Sequence, residues 1–413
     1  MPGHGLKFIV SALSLVAFSP ALATPDSQPC STKGDMKSAL WRSSCDAAIA
    51  IEKDAKVRAS LLYGRAYGAV EEFRYDDALA DLTAALDLVP ETVAYLRERA
   101  YVQVELSNFD LAIADLDRAS RLTPDDPLIF RERAYARHFH GDLQGAYEDR
   151  AREVELTPDA AGAILSRADA ALWLGRFDDA RADVKRAKKL AKSSGDKDAA
   201  RGVEEALINI ELWRNAARED DAARLCKTAR LTDEEDARKA VGNCTKAFLE
   251  AKTGVARADA LTSRSTAWLV AIGSQKNSTE DLSLARALDP EDVHRRVNLG
   301  YSYLLSNHSW AANREFERAL AMVRDPFALA GRAAARLNLG DKEGAMADAL
   351  ASNELEPNEG ATEVLANLAY DRGDRDEARE LYLLIYERGS RRKDLIERLH
   401  ELGVADPDAA VKK

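Results

Sequence analysis

A spacing of 34 residues dominates this sequence. Pro90, Pro124 and Pro158 keep it, and so do Arg65, Arg99, Arg133 and Arg167. Ala78, Ala112, Ala146 and Ala180 repeat in the same phase, as do Asp81, Asp115, Asp149 and Asp183. Four residue types sharing one period mark a short supersecondary unit copied along the chain. Such a unit cannot bury its apolar face alone, so successive copies must stack on one another.

Within one copy the apolar spacing is helical, twice over. Leu62, Ala66 and Ala69 fall on one face, and Ala78, Leu82 and Ala85 on another. Small residues at Ala66 and Ala78 let two helices approach closely. The intervening turn is polar, as in Gly141-Asp142 and Gly175-Arg176-Phe177-Asp178. Glycine ends the first helix in the left-handed conformation, aspartate caps the second, and proline closes the unit.

The segments Tyr63-Gly64-Arg65-Ala66-Tyr67, Tyr75-Asp76-Asp77-Ala78-Leu79 and Ala85-Leu86-Asp87-Leu88-Val89-Pro90 resemble the tetratricopeptide repeat family. Phe109-Asp110-Leu111-Ala112-Ile113 and Phe177-Asp178-Asp179-Ala180-Arg181 resemble it again. The resemblance spans about two thirds of the chain in register. It implies an all-α, right-handed superhelical solenoid of helix-turn-helix repeats, with a concave groove lined by the first helix of each repeat. Four repeats occupy residues 59–192. A second array of about four follows at 259–389, marked by Asn298-Leu299-Gly300-Tyr301, Ala312, Phe316, Arg332-Ala333, Gly340, Ala345, Pro357, Ala366, Gly373 and Ala378. A helical connector over 193–258 joins them, with Val203, Ala206, Leu207 and Ile210 of its main helix on one side. Residues 390–413 read as a capping helix, with Leu395 and Leu399 inward, and a frayed tail.

The first 23 residues have the layout of an export signal: Lys7, an apolar run from Phe8 to Phe18, then Ala21-Leu22-Ala23. Cleavage is expected after Ala23, giving a periplasmic or secreted protein. Later segments are too polar to span a bilayer, so no membrane insertion is expected after that cleavage. In an oxidising compartment Cys30, Cys45, Cys226 and Cys244 read as disulfides, for which three connectivities exist. Each half of the chain opens with one cysteine pair some twenty residues before its first small-residue position, which favours the local pairs Cys30–Cys45 and Cys226–Cys244. Residues 24–58 then form a disulfide-stapled N-terminal cap, protecting the exposed end of the stack. The spacings are too wide for a zinc site, and no metal or cofactor is expected.

A net charge of −11 excludes nucleic acid as a partner for the surface as a whole. His138 and His140 are two apart and point to different helix faces. Neither a phosphate-binding glycine loop nor a nucleophile elbow occurs, so a non-enzymatic protein is expected. The acidic runs Glu219-Asp220-Asp221 and Asp233-Glu234-Glu235-Asp236 read as solvated helix surface. Each ladder arginine precedes an aspartate of its own repeat by 16 residues: Arg65 and Asp81, Arg99 and Asp115, Arg133 and Asp149, Arg167 and Asp183, Arg332 and Asp348. Recurrence in every unit points to a structural ion pair. Candidate partner-binding positions, assigned through the resemblance, are Tyr63, Tyr67, Arg97, Tyr101, Arg131, Tyr135 and His138. Tyrosines at 34-residue spacing suit a protein or peptide partner, and the two arginines could meet its carboxylates. The same tyrosines would serve a second reading, stacking of cell-wall glycan. In the second array the corresponding face carries Val297, Tyr301, Leu304 and Ala334 and is more apolar.

Overall fold

The 34-residue period becomes pairs of antiparallel helices with a left-handed residue between them. In the repeat Val93–Glu105/Phe109–Leu122, Leu96, Ala100, Ala112, Leu116 and Ala119 form the seam. None of these five is more than 1% exposed. The chain leaves the first helix through a residue with positive φ at Phe73, Ser107, Gly141 and Gly175, again 34 apart. Glycine occupies that position without steric cost, whereas Phe73 and Ser107 hold it against the clash of their Cβ. Acidic N-caps start many of the helices: Asp54 accepts from the backbone N–H groups of Lys56 and Val57, and Asp126 from that of Leu128, with Pro127 at the first position.

The structure is a computed structural model and describes Cys30 and residues 39–215 and 221–411. The expected signal peptide, most of the cap before residue 39, Glu219-Asp220 and the last two lysines lie outside the described residues. The described chain is all-α, with its helices in consecutive pairs as the repeat period predicts. It divides into two bodies, the first running to Ala222 with Val241–Leu249, the second comprising Ala223–Ala240 and the chain from Glu250 onward. The division falls within residues 193–258.

In the first body the helix Ala39–Ile51 precedes four pairs: Ala55–Glu71/Tyr75–Leu88, Val93–Glu105/Phe109–Leu122, Pro127–His140/Leu143–Leu156 and Ala161–Trp173/Phe177–Ser194. Cys30 is disulfide-bonded to Cys45 of the leading helix. Together with Trp41 and Ile49 they cover Ala59, Leu61, Leu62 and Ala85 of the first repeat. Gly64 makes this possible, since a Cβ there would collide with the Cys30 carbonyl oxygen. The helix Lys197–Asn215 packs on the fourth pair through Ala199, Val203, Ile210, Leu212 and Trp213. Leu207 departs from the expected buried stripe and is 42% exposed. Burial there needs a neighbour that packing against the fourth pair does not supply.

In the second body four pairs follow: Gly254–Ile272/Gln275–Leu288, Val293–Leu305/Ser309–Met322, Pro326–Asn338/Lys342–Leu355 and Glu359–Arg372/Arg375–Glu387. Phe316 is fully buried between Gly300 and Gly331, where any Cβ would meet its ring. The helix Lys393–Glu401 closes the stack with Leu395 and Leu399 inward. The tail beyond it is folded instead of frayed. Pro407–Val411 is a short helix, Val404 is buried, and the Tyr386 hydroxyl donates to Asp408 Oδ1 at 2.9 Å. Burying Val404 and Pro407 against the last repeat supplies the apolar contact that holds it. Cys226 and Cys244 are also disulfide-bonded, and no described cysteine is free.

Candidate partner-binding face

Two sets of polar side chains recur along the repeats, and they face different ways. The first joins the two helices of a repeat. Arg99 forks onto Asp115 through Nε and Nη2, each 2.7 Å from a carboxylate oxygen. Arg65 does the same to Asp81 (2.8 and 2.6 Å) and reaches Asp46 of the leading helix at 2.6 Å. Arg133 forks onto Asp149 (3.0 and 2.6 Å) and Arg167 onto Asp183 (2.8 and 2.5 Å). In the second body Arg332 forks onto Asp348 at 2.7 Å twice. Arg137 and Arg336, one turn on from Arg133 and Arg332, add a second guanidinium to Asp149 and Asp348. The planar fork matches a carboxylate edge and fixes the spacing of the paired helices.

A further rung, Arg264 to Asp281 (2.9 and 2.6 Å), has no counterpart in the 16-residue pattern. Its partners are 17 apart, because this repeat carries one residue more between them. It is also the most deeply buried pair, with side chains 0% and 1% exposed. In the eighth repeat a different bond takes the place, Tyr382 hydroxyl to Asn367 Oδ1 at 2.5 Å.

The second set lies on the first helices, and most of its contacts link one repeat to the next. Tyr63 stacks on Tyr95 with ring centroids 4.9 Å apart. Arg97 donates to Glu132 of the following repeat at 2.9 and 2.6 Å. Arg131 turns back to Glu153 at 2.6 Å, a fully buried carboxylate that Arg150 also reaches at 2.8 Å. Arg97 and Arg131 are thus each engaged by a carboxylate of this chain. Tyr101 is hydrogen-bonded to Tyr75, which also bonds Glu105, and desolvation raises both phenol pKa values. Tyr67 remains half-exposed at the surface of this face. Tyr135 meets Phe139 edge-on at 4.6 Å. His138 lies edge-on to Phe139 and Trp173 at 4.9 and 5.0 Å, in a cluster that includes Trp213 and Phe248. Burial pushes its pKa down to about 4, with nearby Arg150 adding to the effect and Asp169 opposing it, so His138 is neutral imidazole at pH 7.

Among these side chains sits one the sequence pattern does not flag. Glu98 occupies the first helix of the second repeat, at the position held by Gly64 and Glu132 one period either side. It is 7% exposed. Desolvation, then repulsion from Glu132, raises its pKa to about 7, with Arg97 opposing and Glu71 adding to the rise. Glu105, two turns further along the same helix, is also raised to about 7 by desolvation, against the bond from Tyr75. The face therefore combines tyrosine rings with carboxylates whose charge is costly to hold.

The tetratricopeptide repeat family's sequence profile matches residues 63–127. That stretch contains the Tyr63–Glu98–Tyr101 face and the first two ladder rungs. Over that stretch the chain carries tetratricopeptide repeats. No curated protein matches it. Among solved structures it is similar to MamA, at 16% identity and TM-score 0.37, over 40% of this chain and 93% of that one. YrrB, described as a tetratricopeptide repeat protein with an unusual peptide-binding site, is 21% identical with TM-score 0.35, over 40% and 82%. A tetratricopeptide repeat protein from Parabacteroides merdae is 14% identical with TM-score 0.31, over 76% and 98%.

Proposed function

We propose that this protein is an exported adaptor that holds an extended segment of a partner protein against the first-helix face of its first array. The observation that carries the reading is the continuity of that face across repeat boundaries. Tyr63 stacks on Tyr95, and Arg97 pairs with Glu132, so three first helices present one surface. Rigid tyrosine rings supply contact area at low entropic cost, and charged groups fix register. Glu132 and Glu153 neutralise Arg97 and Arg131, so those arginines act within the groove wall and not as free anchors for a partner's carboxylates. Export is supported by the residue pattern of the first 23 positions and by cysteines held as disulfides. No described helix is long and apolar enough to cross a membrane.

The test is affinity capture with the mature protein from its own envelope fraction, compared with Tyr67→Ala, a half-exposed side chain whose removal leaves the ladder intact. Loss of the same captured protein with Tyr67→Ala supports the groove. Equal capture by both rejects it.

A further inference from the structure

We infer that the first-array face is a receptor for a long-stemmed cation, a lysine or arginine side chain of the partner, with Glu98 as its counter-charge. This deepens the adaptor reading and rests on it. The carboxylate of Glu98 is the central observation. It is more than nine-tenths buried, and among the described residues nothing donates a hydrogen bond to it. The nearest cation, Arg97, directs both ends of its fork at Glu132. The carboxylate is largely desolvated but not sealed from solvent, so its charge is costly to hold and open to a ligand, whereas other buried acids of this chain are served from within: Glu153 by two arginines, Asp115 by a full fork. An unserved charge inside a wall of partner-facing side chains marks a site that a ligand completes.

The surroundings fix the ligand's class. The preceding first helix brings Tyr63, Tyr67 and Glu71 into the electrostatic neighbourhood of Glu98. Its own helix adds Tyr101, and the following helix adds Glu132. Arg97 is the sole cation among these groups and is already matched to Glu132. The excess is negative, and phenol rings attract cations over their faces. An ammonium or guanidinium on a flexible stem reaches a recessed carboxylate that a compact ion held by water would not. An acidic or phosphorylated segment would be repelled. Cation binding favours the ionised carboxylate, so it strengthens as pH rises from 6 to 8, the range in which Glu98 gives up its proton.

The experiment is fluorescence anisotropy on the full, disulfide-intact protein with three fluorescein-labelled probes: (Gly-Ser-Lys)4, the same peptide with every lysine acetylated, and (Gly-Ser-Glu)4. The expected result at pH 8 is binding of the lysine probe at least tenfold tighter than either other probe. Affinity should weaken several-fold at pH 6. Glu98→Gln, which removes the charge and keeps the shape, should lose at least tenfold with an unchanged circular dichroism spectrum. Asp178→Asn, at a fully exposed carboxylate on the second helix of the fourth repeat, should lose nothing. Equal binding of lysine and acetyl-lysine probes overturns the inference, as does full affinity in Glu98→Gln or no lysine binding at all. The adaptor reading fails separately. If capture of the cellular partner depends on Tyr67 but not on Glu98, the groove stands and the cation receptor falls; if it depends on neither, the groove itself falls.

Discussion

Removing the carboxylate of Asp281 isolates the physical role of the arginine–aspartate ladder. Asp281→Asn removes the carboxylate onto which Arg264, 0% exposed, forks, and leaves that guanidinium charged in a desolvated place. Breaking a buried pair from one side costs about 3–5 kcal/mol, because the remaining charge stays desolvated. At a denaturation slope of about 2 kcal/mol per M, the urea midpoint of the second body should fall by roughly 2 M. Asp81→Asn makes the internal comparison. Arg65 is 30% exposed and keeps Asp46 as a second partner, so the loss there should stay near about 1 kcal/mol or below. The assay is urea unfolding followed by the fluorescence of Trp268, buried one turn beyond Arg264, with equal slopes required of variant and wild type. A double replacement, Arg264→Leu with Asp281→Leu, should recover most of the lost stability, since an apolar pair leaves no stranded charge. The reasoning is refuted if Asp281→Asn behaves like Asp198→Asn, whose carboxylate is 71% exposed.

Three further outcomes follow from the same physics. The Glu98 pKa is about 7 in the folded chain against 4.5 for a free side chain, so the folded state keeps a proton that the unfolded state releases, and this residue's contribution to stability falls as pH rises from 4.5 to 7. At about 1.4 kcal/mol per pH unit, Glu98→Gln should be more stable than wild type by about 3 kcal/mol at about pH 8 and equal to it near about pH 4; thermal unfolding at the two pH values checks this, and a pH-independent difference contradicts it. Phe73→Gly should stabilise the first repeat by about 1 kcal/mol, because glycine adopts φ 59° without the left-handed penalty and the lost ring is 54% exposed; a lowered melting temperature argues otherwise. Cys30→Ser/Cys45→Ser opens a loop of 15 residues and should cost about 3 kcal/mol, read as a lower unfolding midpoint for the first body; no change would remove the cap's stabilising role.

How much of this was legible in the sequence depended on whether one period could encode it. Packing inside a repeat is the same problem each time, so Leu82, Leu116 and the alanines beside them announce the helix pairs directly. The left-handed turn is less plain. Gly141 and Gly175 reveal it, while Phe73 and Ser107 hide the same backbone state under ordinary side chains. Arg264 and Asp281 escaped because one extra residue breaks the 16-residue spacing without breaking the contact. Contacts between neighbouring repeats were the least legible. Arg97 looks like a free guanidinium until Glu132 of the next repeat is seen against it, and Glu98 is hidden between two arginines that both point elsewhere. Leu207 has the spacing of a buried stripe, but burial also needs a neighbour to cover it, and that is set by tertiary packing.

The central claim is that the first-helix face of the first array holds a partner protein. Photo-crosslinking in living cells tests it most directly, with a crosslinking amino acid placed in turn at Tyr67 on that face and at Ala114, an exposed position on the second helix of the next repeat. The account predicts one covalent adduct of the same mass at Tyr67 in repeated experiments, lost when Glu98→Gln is added, and none at Ala114. Adducts of equal yield at both positions, or at Ala114 alone, would contradict it.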